Sequence, residues 1–342
     1  MKLPIRIFTV LLANLAVAVT QSQAAVSIDY VSVVNPGNAN DGTGYGAVGY
    51  VYNIGKYEVT VSQYAEFLNA VAKTDTYGLY NTSMGSDLNV SSITRSGLSG
   101  NYTYSVVGSG IRPIAYVNWF DAARFVNWLQ NGQPVGSQVA GVTETGTYAL
   151  NGATSGTGFT RASTGIYSLP SESEWYKAAY YQPVGLGGDA DGYWLYPTAS
   201  NSVPNSRNGS LSDANSGNFF RDDGLANGYN GGYAVNNSLT APSGNALTDG
   251  GAFSLADSYY GTFDQGGNVW EWNDGVSGSS RIIRGGSWSG NESSLRATTR
   301  STFFVANENS IVGFRVVVPE PGVTGMMMLG FALLAARMRR SR

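Results

Sequence analysis

From Tyr181 to Tyr260 the chain runs through Asn, Gly, Ser, Asp and Tyr with no sustained helix or strand periodicity. A stretch of that length is incompatible with a helix bundle or a regular βαβ series, and inside a compact domain it needs something to hold it in place. Reading it as a disordered linker conflicts with its aromatic residues Trp194, Tyr196, Phe219, Phe220, Tyr229, Tyr233 and Phe253, because disordered segments are poor in such side chains. Disulfides cannot hold it, since the 342 residues include no cysteine. Stability must then come from a large core or from bound ions. With 42% hydrophobic residues and 45 glycines, the composition is that of a globular but loop-rich protein.

Histidine is absent as well. The two side chains that most often act as nucleophile and general base near neutral pH are therefore missing. Any catalysis would rest on carboxylates, Tyr, Lys, Ser or a metal.

Three helices are marked by their caps. Thr60 and Gln63 form a capping-box pattern ahead of Tyr64, Phe67, Leu68 and Val71, which share one helical face. Asn118 with Asp121 does the same for Ala122, Phe125, Val126 and Leu129, and Ser171 with Glu174 opens a shorter helix through Trp175 and Ala179. Strand-like segments precede them at Tyr50 to Tyr57, Ile114 to Val117 and Tyr167 to Leu169. The mixture predicts an α+β protein. Asn131 to Gly165 reads as a surface insertion, and Glu172 and Glu174 as helix N-terminal charges.

The two ends differ from the body. Met1 to Ala24 has a cationic start (Lys2, Arg6), an apolar run from Ile7 to Val19 and a small-x-small end at Ser22-Gln23-Ala24, the pattern of a secretory signal peptide. Residues 319–342 combine Pro319-Glu320-Pro321, an apolar stretch from Val323 to Ala336 and four arginines from Arg337 to Arg342. The apolar stretch is short for a full membrane span, and the arginines favour the cytoplasmic side. This tail resembles the PEP-CTERM sorting signal of Gram-negative bacteria. The resemblance implies an exosortase as processing partner, transient membrane anchoring through the tail, and a final place at the cell surface or in the exopolysaccharide matrix. Removal of both ends takes six of the 20 basic and one of the 23 acidic residues, leaving a body of about −8. Such a body is a poor partner for nucleic acid or anionic lipid and tolerates a bound cation.

In YGTFDQGGNVWEWN (260–273), Asp264 and Glu271 flank Gly266-Gly267, where the chain can double back and aim carbonyls at the point between the two carboxylates. Hard oxygen donors of this kind suit Ca²⁺. Spacing alone also fits two solvated acids beside a glycine pair, and it does not fit an EF-hand loop. The ordered set IGKYEVTVSQYAEFLNAV (54–71), VNWFDAARFVNWL (117–129), YSLPSESEWYKAA (167–179), YGTFDQGGNVWEW, RGGSW (284–288) and GFRVV (313–317) resembles the formylglycine-generating enzyme, or sulfatase-modifying factor, family over roughly residues 48–318. The resemblance implies a C-type lectin-like fold, low in regular secondary structure, with two Ca²⁺ ions.

Carried over by position, one calcium site falls on the side chains of Asp264 and Glu271 and the carbonyls of Gly267 and Val269. The other falls on the Asn218 side chain, the Phe219 carbonyl, the Asp249 side chain and the Gly251 carbonyl. Copper is not expected, because the family's paired catalytic cysteines correspond to Gly290 and Leu295, and Met84 is the one methionine of the body. The iron-dependent ergothioneine-pathway branch needs histidines that are equally missing. Trp270 and Ser287 match residues that line the family's pocket. Three function classes follow: a binding module presenting Trp288, Ser289, Asn291, Arg296 and Arg300 to a peptide or glycan, a structural component of the envelope or matrix, and an enzyme restricted to carboxylate chemistry; Trp288 fits a core residue under the turn equally well.

Overall fold

A computed structural model describes residues 25–207, 213–222 and 231–319. The signal-peptide segment and, apart from Pro319, the sorting-signal segment lie outside these residues. Among the described residues no helix is long and apolar enough to cross a membrane.

The three predicted helices form, each closed by its capping box: α1 (Val61–Val71), α3 (Trp119–Gln130) and α4 (Glu172–Tyr180). A single turn, α2 (Ser83–Ser86), lies between the first two. In each box the first side chain accepts the third residue's backbone N–H while that residue's side chain accepts the cap's, which satisfies two otherwise orphaned donors. α1 and α3 pack through their apolar faces. Phe67 meets Phe125 edge-on at 5.4 Å and Trp128 at 5.2 Å, and Phe125 reaches Phe314 at 5.4 Å. These rings form the centre of the main core, with Trp119, Tyr148, Leu169 and Trp272.

Two small sheets frame that core. β2 (Tyr52–Gly55) is the middle strand of a three-stranded antiparallel sheet, between β1 (Tyr30–Val33) and β11 (Val317–Pro319), with Tyr30 opposite Gly55 and Val317 opposite Ile54. The larger sheet has the order β10-β7-β8-β9, from β7 (Trp270–Ser277), β8 (Ser280–Arg284), β9 (Ser301–Phe304) and β10 (Val312–Gly313). Its β10–β7 pair is parallel, and the β7–β8 register shifts between Trp272 and Val276. Two hairpins, β3 (Ile93–Ser96) with β4 (Thr103–Val106) and β5 (Phe220–Arg221) with β6 (Gly232–Tyr233), belong to neither sheet, and the first adds Ile93 and Tyr104 to the main core. The result is the expected α+β mixture with few, short helices.

Three sequence readings need correction. Ile114 to Val117 is not a strand: Tyr116 takes a left-handed φ of 59°, and Ile114 and Tyr116 donate to Val59 and Asn309 in different segments. Tyr167 to Leu169 is reduced to a single bridge between Ser168 and Val317. Residues 131–165 are not a detachable surface insertion. Buried Arg124 of α3 grips Glu144 through two bonds of 2.7 and 2.9 Å, and the Asn127 amide donates to the Thr143 and Tyr148 carbonyls. Tyr148 and Leu150 enter the main core from this segment.

Candidate functional site

The turn that leads into β7 is built from left-handed residues, Asp264 (φ 58°), Gly267 (φ 100°) and Asn268 (φ 54°). At Gly267 a Cβ would lie 2.3 Å from the Asn218 carbonyl oxygen, so only glycine fits. The turn delivers Asp264 and Glu271 to one buried region. Glu271 accepts from Arg315 Nε at 2.5 Å and Nη2 at 2.6 Å and from the Trp175 indole at 2.7 Å, all of them buried. Arg315 also donates to the carbonyls of Gly55 and Phe263, which binds the turn to β2. Asp264 accepts the Gly251 N–H at 2.6 Å. Burial pushes its carboxyl up to about 6, against the Gly251 bond and the Arg315 charge, which pull it down.

A third carboxylate shares this region. Glu58, between β2 and α1, is 3% exposed, and neither of its oxygens has a hydrogen-bond partner in another residue. Burial and the negative charge of Asp264 hold it well above the ordinary carboxylate range. Among the described residues no three acidic groups converge closely enough to chelate an ion by themselves. A cation here would take its other oxygens from carbonyls and water, as Ca²⁺ commonly does. As folded, Glu271 is already occupied by Arg315 and Trp175, so an ion here would have to share or displace those bonds.

The residues of the expected second site are divided. The Asn218 amide donates to the Ala246 carbonyl and to Asn268, and Phe219 packs with Tyr196 and Leu295. Asp249, 43% exposed, lies 3.8 Å from Arg112, and Gly251 bonds to Asp264 of the first set. Asn268 links the halves, since it also accepts the Thr248 N–H.

The RGGSW loop leaves β8 through Gly285 (φ 102°) and Gly286 (φ 79°), and a Cβ on Gly285 would meet the Gln265 carbonyl at 2.6 Å. For Trp288, which fits either a ligand anchor or a core residue under the turn, the structure gives the second. Its side chain is 6% exposed, packs with Val90, Ala115, Leu247 and Val269, and donates its indole N–H to Ser310. It is a core residue and cannot anchor a surface ligand. Ser287 is buried beneath the turn with its hydroxyl unpartnered, and Trp270 is half-buried against the main core. Ser289 and Asn291 are exposed. Arg296 donates to the Tyr196 hydroxyl at 3.0 Å, and Arg300, its side chain 31% exposed, pairs with Glu172. The loop thus keeps a polar outer face of Ser289, Asn291, Arg296 and Arg300.

The sulfatase-modifying factor enzyme 1-like domain matches residues 18–319. The chain belongs to that family. No curated protein is similar enough to be matched with it. Among solved structures, CarF shares 20% identity and a TM-score of 0.47, covering 86% of this chain and 98% of its own. Treponema denticola variable protein 1 shares 17% identity and a TM-score of 0.43, covering 87% and 97%. PvdO from Pseudomonas aeruginosa shares 15% and 0.39, covering 85% and 92%. At such identities and scores nothing about function passes from them to this chain.

In this sulfatase-modifying factor-like domain the two positions of the expected cysteine pair are occupied by inert groups. Gly290 sits where a Cβ would come 2.7 Å from Ser294 Oγ, and Leu295 is buried in a cluster with Tyr196 and Phe219. Two features escaped the sequence reading. Glu172, read as a helix charge, accepts from Arg284 at 2.9 Å and from Arg300 at 2.9 Å, and so joins the start of the RGGSW turn and the end of the segment that follows it to α4. Beside the same loop, at Ala297 and Thr298, opens a cavity of about 420 Å³ walled by Tyr193 and Trp194 and edged by Asp41, Asp189, Asp191 and Asn201. The aromatic and acidic composition of residues 189–201 was the only local sign of it.

Proposed function

We propose that this sulfatase-modifying factor-like domain is an exported, calcium-stabilised, non-catalytic binding module that takes a glycan. It is presented on a C-type lectin-like scaffold at the cell surface or in the exopolysaccharide matrix. The supporting observation is Leu295: at the position that the family resemblance assigns to a thiol stands a leucine, buried in a cluster with Tyr196 and Phe219. A chain without Cys or His offers copper no thiolate or imidazole, and its body has a single methionine, Met84, too little for a two-sulfur site. Beside that leucine's loop, the cleft lined by half-buried Trp194 offers one aromatic side chain with carboxylate and amide edges from Asp41, Asp189, Asp191 and Asn201, the chemistry that stacks on a sugar ring and hydrogen-bonds its hydroxyls. Ala297 and Thr298 line it, in the same segment as the polar side chains of Ser289, Asn291, Arg296 and Arg300.

Calcium would be held by Asp264 and Glu271 with the Gly267 and Val269 carbonyls, and in the second set by Asn218, Phe219, Asp249 and Gly251. Bound there, it supplies positive charge that joins the β7 turn to its neighbours. Export rests on the residue pattern of the two ends, with signal peptidase and an exosortase as processing partners and the membrane contacted only through the tail.

The test is a glycan-array screen of the purified chain with and without EDTA. Saturable binding that Trp194→Ala abolishes is the expected result. Formylglycine formed on a sulfatase-type cysteine peptide, above a metal-only control, would overturn the non-catalytic reading. Binding to no glycan would favour a structural matrix role.

A further inference from the structure

The cleft at Trp194 carries a charge that its surroundings do not balance. Two stretches of chain build it. Between Gln182 and Trp194 the backbone folds back on itself, with the Gln182 N–H donating to the Gly192 carbonyl at 2.9 Å and the Gly192 N–H to the Asp189 carbonyl at 2.8 Å, and this turn carries Asp189 and Asp191. Asp41 comes from the loop after β1. Buried Tyr193 ties the two stretches together: its hydroxyl accepts the Asn38 amide at 2.7 Å and donates to the Ala39 carbonyl at 2.7 Å.

All three aspartates line one cavity of about 420 Å³, within the roughly 300–1,000 Å³ of small-molecule sites. Their hydrogen bonds come from neutral donors. Asp41 accepts the Tyr176 and Thr43 hydroxyls, Asp189 the Asn201 amide at 2.8 Å, and Asp191 the Tyr193 N–H at 2.9 Å. Such bonds orient a carboxylate without cancelling its charge, and the Asn201 bond draws the Asp189 carboxyl below its usual value, so it stays ionised. Among the described residues no lysine or arginine lines the cleft. The nearby arginines are committed elsewhere, Arg284 and Arg300 to Glu172 and Arg296 to the Tyr196 hydroxyl. The half-buried indole of Trp194 is fixed by its N–H, which donates to Gln182 Oε1 at 2.9 Å. An aromatic ring beside uncompensated carboxylates attracts an organic cation.

We infer that this cleft selects a cationic glycan, a polymer of hexosamine with amino groups that carry no acetyl, over neutral and acidic sugars. This rests on the glycan reading proposed above and adds the charge of the ligand to it. The sugar ring stacks on Trp194 while its ammonium pairs with Asp189 and Asp191. The charge of the body, about −8, draws the same ligand from a distance and repels an acidic one.

The experiment titrates the purified chain calorimetrically with tetramers of glucosamine, N-acetylglucosamine and glucose, and with tetralysine as a peptide cation. It is run at about pH 6, well above the aspartate range, where carboxylates and amines are both charged. The glucosamine tetramer should bind on the order of tenfold more tightly than the other two sugars, by a margin that shrinks as salt rises. Asp189→Asn and Asp191→Asn keep an acceptor and remove a charge. Each should cut that margin by about two- to fivefold and leave binding of the neutral tetramers unchanged, whereas a merely structural loss would weaken all three sugars alike. If the three sugars bind equally, or the margin survives both substitutions, the inference is wrong while the glycan reading stands. If tetralysine alone binds, the ligand is a basic peptide and both are wrong, as they are if nothing binds. Should the variants not fold, a margin insensitive to salt in the unaltered chain overturns the inference.

Discussion

Replacing Glu172 by alanine should loosen the RGGSW loop at both ends. The carboxylate receives Arg284 Nε at 2.9 Å and Nη2 at 2.7 Å, and Arg300 Nε at 2.9 Å. Arg284 is buried, so Glu172→Ala leaves an uncompensated interior charge, a change worth roughly 3–5 kcal/mol. Arg300 is about a third exposed, and its pair adds at most about 1 kcal/mol. Arg284 keeps its bonds to the Ala297 and Thr299 carbonyls, 3.1 and 2.9 Å, and its place over the Tyr45 and Tyr176 rings, which favours the lower end. The net expectation is about 4 kcal/mol, a large share of the roughly 5–15 kcal/mol that holds an ordinary domain together. At roughly 2–4 °C per kcal/mol, Tm should fall by about 10 °C. Urea unfolding followed by tryptophan fluorescence measures the free energy. Amide exchange should quicken at Ser294 and Ala297, whose N–H groups bond within and beside the loop. Glu172→Gln, which keeps an acceptor but no charge, should fall between. A loss below about 1 kcal/mol for Glu172→Ala would show that the two arginines are held by something else.

Chelation should lower Tm, and calcium at a hundredfold excess over Kd should restore about 2.7 kcal/mol as seen by thermal scanning, with Asp264→Ala insensitive to EDTA. Asp274, which accepts the Tyr148 hydroxyl at 2.9 and 3.0 Å, has its carboxyl pushed up to about 7 by burial, against the pull of Arg281. The folded state thus holds this proton more tightly than the unfolded chain. Its contribution is full below pH of about 4 and lost as pH rises to about 7, so urea stability should decline across that window, and less so in Asp274→Asn. Arg124→Met and Glu144→Gln should each destabilise strongly and couple by roughly 2–3 kcal/mol in a double-mutant cycle, because each leaves the other buried and unpaired.

What the sequence revealed was what neighbouring residues decide. The capping boxes at Thr60, Asn118 and Ser171 are local patterns, and all three helices begin where those patterns place them. Tyr116 shows the limit: its apolar neighbours suggest a strand, but contacts to residues 59 and 309 impose a left-handed turn. The site divides the same way. Asp264 and Glu271 stand out by their spacing around two glycines, whereas Arg315, 44 residues beyond Glu271, is invisible until the chain folds. Trp288 beside a glycine turn fits an anchor or a core residue equally, and only the fold decides, turning it inward to Leu247 and Val269. Glu58 stands inside a recognised motif, and its orphaned state depends entirely on which groups the fold leaves around it.

The placement of β11 has a mechanical consequence. β1 and β11 lie on opposite sides of β2 and both run against it, with the chain entering at the Gly55 end and leaving, at Pro319, at the Tyr52 end. A tether pulling on the chain beyond Pro319 therefore draws β11 along its own axis. Load directed that way bears on the whole short register at once and does not peel it open bond by bond. The same arrangement orders events in time: β2 is made early in the chain and its second neighbour last, so this sheet stays incomplete, with one edge of β2 open, until the final residues of the body have been synthesised and delivered.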